Sequence, residues 1–290
     1  MKDYAIDRMT RLWIVLIPTF ILILGLGIVS ARIDPQVFSV AAGNEHSATA
    51  FVGNLVGLQE IAVPTFGGNF PLWSLSNETW YYVLFPLLVI ALGSGPQQHR
   101  LVATLAAGAL AWLLSGPLML YFAIWLLGAV GSRIELRATA AVRSILFLVF
   151  AGVAVFFRLT GENDDLGFAA FPEDLLFSVL FILFLTSMQV RLNSSSGLIA
   201  RVKQVAKFFA DFSFTLYVIH VPLIGFSTAF IPYLAGNNLS PNDPAHLVGY
   251  LGVFAAIVAV AYLFHLPFEA NTQRVRAALK GFVVRSRSAA

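Results

Sequence analysis

Apolar and polar positions alternate along this chain in long blocks rather than at the spacing of a soluble fold. Uninterrupted apolar runs occupy Leu12–Val29, Leu75–Leu92, Leu101–Ser115, Leu118–Gly131, Val142–Phe157, Leu175–Gln189, Phe208–Ile231 and His246–Leu266. A helix needs about 20 mostly apolar residues to cross a bilayer. The pattern therefore predicts an all-α, polytopic transmembrane bundle of about eight spans in a single domain, 1–290. The third and fourth runs are short and joined only by Ser115-Gly116-Pro117, which reads as a tight turn. Pro222 is expected to kink the seventh run.

Composition sharpens this picture. The chain is 58% hydrophobic and 11% charged, with a mean hydropathy of +0.81. Soluble domains carry about 25% charged residues. A chain this apolar cannot clothe its own surface with polar groups, so membrane lipid is its first partner. The absence of cysteine excludes disulfides, thiolate metal sites and a cysteine nucleophile. The net charge of +3 does not point to nucleic acid, because the basic residues sit between the apolar runs. With the N-terminus cytoplasmic, every Lys and Arg except Arg32 and Arg158 falls on the inner side, while Asp34, Glu45, Glu60, Glu162, Asp164, Asp165 and Asp243 fall outside. That bias obeys the positive-inside rule and places both termini in the cytoplasm. The basic stretch 270–290 reads as a cytoplasmic tail, resting on the anionic inner leaflet or simply solvated.

Ionisable and polar residues near the bilayer core are costly and each asks for a reason. Arg8 and Arg11 lie three apart, on one helix face at the cytoplasmic mouth of the first run. They serve either as membrane anchors or as two guanidinium forks suited to phosphate. The segment Pro71-Leu72-Trp73-Ser74-Leu75-Ser76-Asn77-Glu78-Thr79-Trp80-Tyr81-Tyr82 opens the second span from the outer side. Ser74 or Ser76 can cap the helix, and Trp73, Trp80, Tyr81 and Tyr82 suit an interfacial aromatic belt. Glu78 stands near the helix start, where a carboxylate is favoured structurally; it equally suits an acid, a base or a ligand for an acceptor hydroxyl. Ser213, Tyr217 and His220 form one polar stripe on the seventh span. His220, two residues before Pro222, is placed to meet a carbonyl freed by the proline, or to line a site. His265 and Glu269 read as an interfacial helix end.

Three segments resemble, in order, the signature of the acyltransferase type 3 family of integral membrane enzymes. PLWSLSNETWYYVLFPLL is similar to its Trp-Ser-Leu-x-x-Glu stretch running into an aromatic helix that ends in Phe-Pro. DRMTRLWIVLIP is similar to its Arg-x-x-Arg segment, and FADFSFTLYVIHVPL to its late Ser-x-x-Leu-Tyr-x-x-His-x-Pro-Leu helix. The middle spans match only in hydropathy.

The resemblance implies O-acyl transfer from cytoplasmic acyl-CoA, acetyl-CoA foremost, to a hydroxyl of a carbohydrate or other small-molecule acceptor on the extracytoplasmic side. It implies no bound cofactor and, with the charge bias, a bacterial plasma membrane. Arg8 and Arg11 would take the CoA phosphates. Glu78 and His220 would be the catalytic candidates, with Trp73, Ser74, Tyr81, Tyr82, Ser213 and Tyr217 around the substrate and Glu78 near the face opposite the arginines. Family members usually open with two further spans, the first carrying an Arg and a catalytic His. This chain starts just before the Arg-x-x-Arg segment, which implies a late-assigned start or a truncated relative. A non-catalytic membrane partner and a small transporter are the alternative readings. The transporter leaves the Glu78 segment and the arginine pair unexplained; two apolar spans encoded in frame upstream, with a His in the first, would favour the enzyme over the non-catalytic partner.

Overall fold

The computed structural model describes residues 2–33, 46–59, 61–160, 167–189, 197–228, 240 and 243–288. Asp34, Glu45, Glu60, Glu162, Asp164 and Asp165 lie outside them. Eleven α-helices are described: α1 Lys2–Ile33, α2 Ala48–Leu55, α3 Leu72–Leu92, α4 Gln97–Leu113, α5 Gly116–Gly131, α6 Ala140–Thr160, α7 Phe171–Ser187, α8 Gly197–Asp211, α9 Ser213–Thr228, α10 Pro244–His265 and α11 Thr272–Ser288. Among the described residues the only β feature is an isolated bridge, Gln59 with Val63.

Four helices are long and apolar enough to cross a membrane, or five if the bent pair α8–α9 counts as one span. This holds of the described residues; the all-α, polytopic reading stands, and the count of eight spans is not confirmed. Helices α4, α5 and α7 have 17, 16 and 17 residues. At 1.5 Å per residue they reach roughly 24–26 Å, short of the ~30 Å hydrocarbon core. The seventh run is broken: α8 and α9 meet at 58°.

The chain forms two compact units, Met1–Tyr82 with Ser196–Ala290, and Val83–Ser195. Helix α3 contributes 72–82 to the first and 83–92 to the second. The second unit packs α7 against α5 and α6. Phe150 meets Phe177, Phe181 and Phe184, and Tyr121 donates a hydrogen bond to Asp174. Ser115 caps α5 through the Leu118 N–H, with Pro117 in the first turn, as the tight-turn reading expects.

The first unit holds the site. Its core joins Phe212, Ile219, Leu223 and Ala261 with Leu22 and Leu26 of α1. The segment 46–71, read from sequence as an outer loop, folds back along α1. Phe66 and Phe51 pack on Phe20, with ring centroids 4.8 and 5.3 Å away, and Trp13 Nε1 donates to the Leu55 carbonyl at 2.8 Å.

Irregular backbone beside membrane helices must have its polar groups satisfied within the protein, and buried amides do this here. Asn54 donates to the carbonyls of Ala50 and Pro64 and accepts from the Phe66 N–H. Gln59 donates to the Leu72 carbonyl. The Gly57 carbonyl accepts from Ser76 Oγ at 2.6 Å and Trp80 Nε1 at 2.8 Å. Gly57 has φ +77°, and an added Cβ would lie 2.9 Å from Thr79, so this close approach to α3 needs glycine.

Pro222 lacks the N–H that would bond the Val218 carbonyl. Asn69 Nδ2 supplies it at 2.9 Å, the role the sequence suggested for His220. In the basic stretch 270–290, α11 is held to α1, with Asp7 Oδ1 lying 3.1 Å from Arg276 Nε and 2.7 Å from Lys280 Nζ.

Candidate active site

Helix α1 has 32 residues, about 48 Å at 1.5 Å per residue, and so overruns the bilayer core. Arg8 and Arg11 sit in its first three turns and share the face that borders a cavity of about 820 Å³. The walls come from three places. Tyr4, Asp7, Arg8 and Arg11 are on α1. Ala210, Asp211, Ser213 and Phe214 are at the α8–α9 bend. His265, Glu269, Ala270, Thr272, Gln273 and Arg276 lie between the end of α10 and α11.

The Arg8 guanidinium lies 5.3 Å from the Tyr4 ring centroid and 4.6 Å from that of Tyr82. Both are cation–π distances. Tyr82 in turn donates its phenolic proton to Glu78. Arginine, tyrosine and glutamate therefore form one connected chain, of which Arg8 lines the cavity and Tyr82 and Glu78 are not among its lining residues. The placement of Glu78 near the face opposite the arginines is corrected by these contacts. The cause is the folded-back segment 46–71. The segment packs Phe66 on Phe20 of α1, six residues before α3 begins at Leu72. The roughly 15 Å of helix from Leu72 to Tyr82 then brings Glu78 and Tyr82 to the level of Arg8.

Other site candidates are divided between two places. Ser213 lines the cavity, its Oγ bonded to the Ala210 carbonyl at 3.0 Å. One turn further along α9, Tyr217 Oη donates to the Pro71 carbonyl at 2.9 Å and lies 2.6 Å from Ser74 Oγ. This pair ties the start of α3 to α9. The helix begins at Leu72, so Ser74 and Ser76 act inside its first turns and do not cap it. Tyr81 is buried, while the Trp73 indole is exposed. His220 is not among the cavity's lining residues. Its Nδ1 lies 2.7 Å from the Tyr217 carbonyl. A carbonyl only accepts, so Nδ1 carries the proton, and in the neutral ring Nε2 is left as an acceptor.

The sequence reads Glu269 only as part of an interfacial helix end, and the structure gives it a further role. Its Oε2 accepts from the Thr215 N–H at 3.1 Å and from Thr215 Oγ1 at 2.6 Å, and lies 3.3 Å from His265 Nδ1. A carboxylate remote in sequence thus caps the N-terminus of α9, where backbone donors are unpaired and the helix dipole favours negative charge. The only local signal was the four-residue spacing of His265 and Glu269. Glu269→Ala would leave the fully buried Thr215 without its acceptor. The expected loss is about 2–3 kcal/mol of stability, the range for charge-assisted hydrogen bonds. Thermal unfolding in detergent should show it, with Glu269→Gln, which keeps an acceptor oxygen, recovering most of the loss.

The long apolar helices with a polar, arginine-lined cavity define an integral membrane protein with an internal polar site. A family model described as an acyltransferase domain matches residues 1–266. The chain belongs to this acyltransferase type 3 family and is an acyltransferase acting on groups other than amino-acyl groups. No curated protein and no solved structure matches it. The matched residues include the arginine pair, Glu78, Tyr82, Ser213 and His220. Glu269 and Arg276 lie just beyond them.

Proposed function

We propose that the protein moves an acyl group, acetyl foremost, from acyl-CoA to a hydroxyl of a carbohydrate or other small-molecule acceptor, in the plasma membrane of a bacterium. The observation that carries this reading is the contact chain from Arg8 through Tyr82 to Glu78, with Arg8 and Arg11 lining a polar cavity, in a chain of this family. The cavity's size falls within the roughly 300–1,000 Å³ usual for small-molecule sites.

In this reading the two guanidinium groups hold the donor's phosphates. The bias of basic residues supports a cytoplasmic donor. Glu78 accepts the proton of the acceptor hydroxyl as its oxygen attacks the thioester carbonyl. The carbon–sulfur bond then breaks, and the CoA sulfur leaves with the electron pair and is protonated. Tyr82 orients the carboxylate and couples it to Arg8. Donor thioester and acceptor hydroxyl then meet at the same level of α3 instead of facing one another across the membrane.

The chain has no cysteine, so a thiol reagent reads CoA release without background from the protein. Purified protein in lipid nanodiscs, given acetyl-CoA and a panel of sugars, should release free CoA and form acetyl ester only when a hydroxyl acceptor is present. A non-catalytic partner or a transporter would release none.

A further inference from the structure

We infer that helix α8 lies flat on the anionic headgroup layer of the membrane, as an in-plane anchor beside the cavity. Its sequence, GLIARVKQVAKFFAD, carries Arg201, Lys203 and Lys207 and no acid before Asp211. Val202, Val205 and Phe209, spaced i, i+3 and i+7, share one helix face, and Lys203 and Lys207, spaced i and i+4, share another. Among the described residues this apolar face is largely uncovered: Val202 is 60%, Val205 56% and Phe209 47% exposed, with the Phe209 ring also meeting Phe212. Phe208 pins the C-terminal end of the helix, its ring 5.3 Å from Phe212 and 5.1 Å from Tyr262.

Three environments could receive such a helix. In water, a 15-residue helix showing a valine and phenylalanine stripe is packed only at its C-terminal end among the described residues, and helices this short are marginal alone. Upright in the bilayer, its length would reach only about 22 Å and would carry three cations into hydrocarbon. At the interface, the apolar face enters the acyl boundary and the cations meet lipid phosphates, the arrangement that basic amphipathic helices adopt. The 58° bend into α9 turns the chain from the crossing direction toward the membrane plane. Positive charge on the helix selects an anionic leaflet. Because Ala210 and Asp211 line the cavity, this anchor sets the cavity mouth at headgroup level. The inference rests on membrane insertion and not on the acyl-transfer reading.

Full-length protein with a single cysteine at Val202, Val205, Phe209, Lys203 or Lys207 can be labelled at that site with an environment-sensitive fluorophore. The labelled proteins are reconstituted in vesicles of phosphatidylcholine with phosphatidylglycerol. Labels at Val202, Val205 and Phe209 should be quenched by nitroxide lipids and protected from aqueous iodide, and those at Lys203 and Lys207 the reverse. In phosphatidylcholine alone, iodide quenching at the three apolar positions should rise severalfold. Equal iodide quenching at all five positions would overturn the inference, and so would protection at all five. Apolar-face protection that ignores lipid charge would overturn the anionic preference.

Discussion

Reversing both charges of the arginine pair, Arg8→Glu with Arg11→Glu, is expected to abolish donor binding in a protein that still inserts into the membrane. Two charge-assisted contacts at about 2 kcal/mol each give roughly a thousandfold loss of affinity before repulsion is added. Binding of labelled acetyl-CoA to nanodisc-embedded protein measures the loss, and elution as a monodisperse species reports insertion. Lysine at both positions should fall between, because it keeps charge and the cation–π contact of Arg8 with Tyr4 and Tyr82 but loses the fork that grips two phosphate oxygens. Unchanged binding in the doubly reversed protein would remove the arginines from the donor site.

Glu78→Gln should be the second large effect. It preserves size and an acceptor for the Tyr82 hydroxyl while removing the base. General-base contributions of about 10²–10⁴ set the expected fall in transfer rate, with acetyl-CoA affinity unchanged. Tyr82→Phe keeps the ring beneath Arg8 and loses only the hydrogen bond to the carboxylate, so its rate should drop roughly tenfold. The difference between these variants separates the group that takes the proton from the group that positions it. Normal turnover in Glu78→Gln would leave the base to another residue.

The parts of this site visible in sequence share a local cause. Arg8 and Arg11 are three residues apart, and helical spacing alone puts them on one face. Glu78 and Tyr82 are four apart, and their hydrogen bond follows the same rule. Ser115 and Pro117 announce the start of α5 by their own chemistry.

What sequence could not show depends on chain reversal over distance. The segment 46–71 holds a helix of only 8 residues and too many glycines and prolines to read as a span. Its buried course along α1 is set by Asn54, Gln59 and Asn69 reaching carbonyls 10 to 149 residues away. That course runs along α1 and leads into α3, where Tyr82 links Glu78 to Arg8. Glu269 reaches Thr215 over 54 residues, so no window of sequence marks it as a helix cap. Short apolar runs such as α4 and α5, with 17 and 16 residues, sit at the lower limit of what a crossing needs, so hydropathy alone does not fix the number of spans.

The convergence of arginine and glutamate at one site is tested most directly by a double-mutant cycle on transfer rate. Arg8→Gln and Glu78→Gln are made singly and together and assayed with radiolabelled acetyl-CoA and an accepted sugar. If Tyr82 links the two residues into one unit, the double variant should be distinctly less impaired than the product of the single losses, with a coupling of at least about 0.5 kcal/mol. Losses that multiply without coupling would mean that the two residues act at independent places.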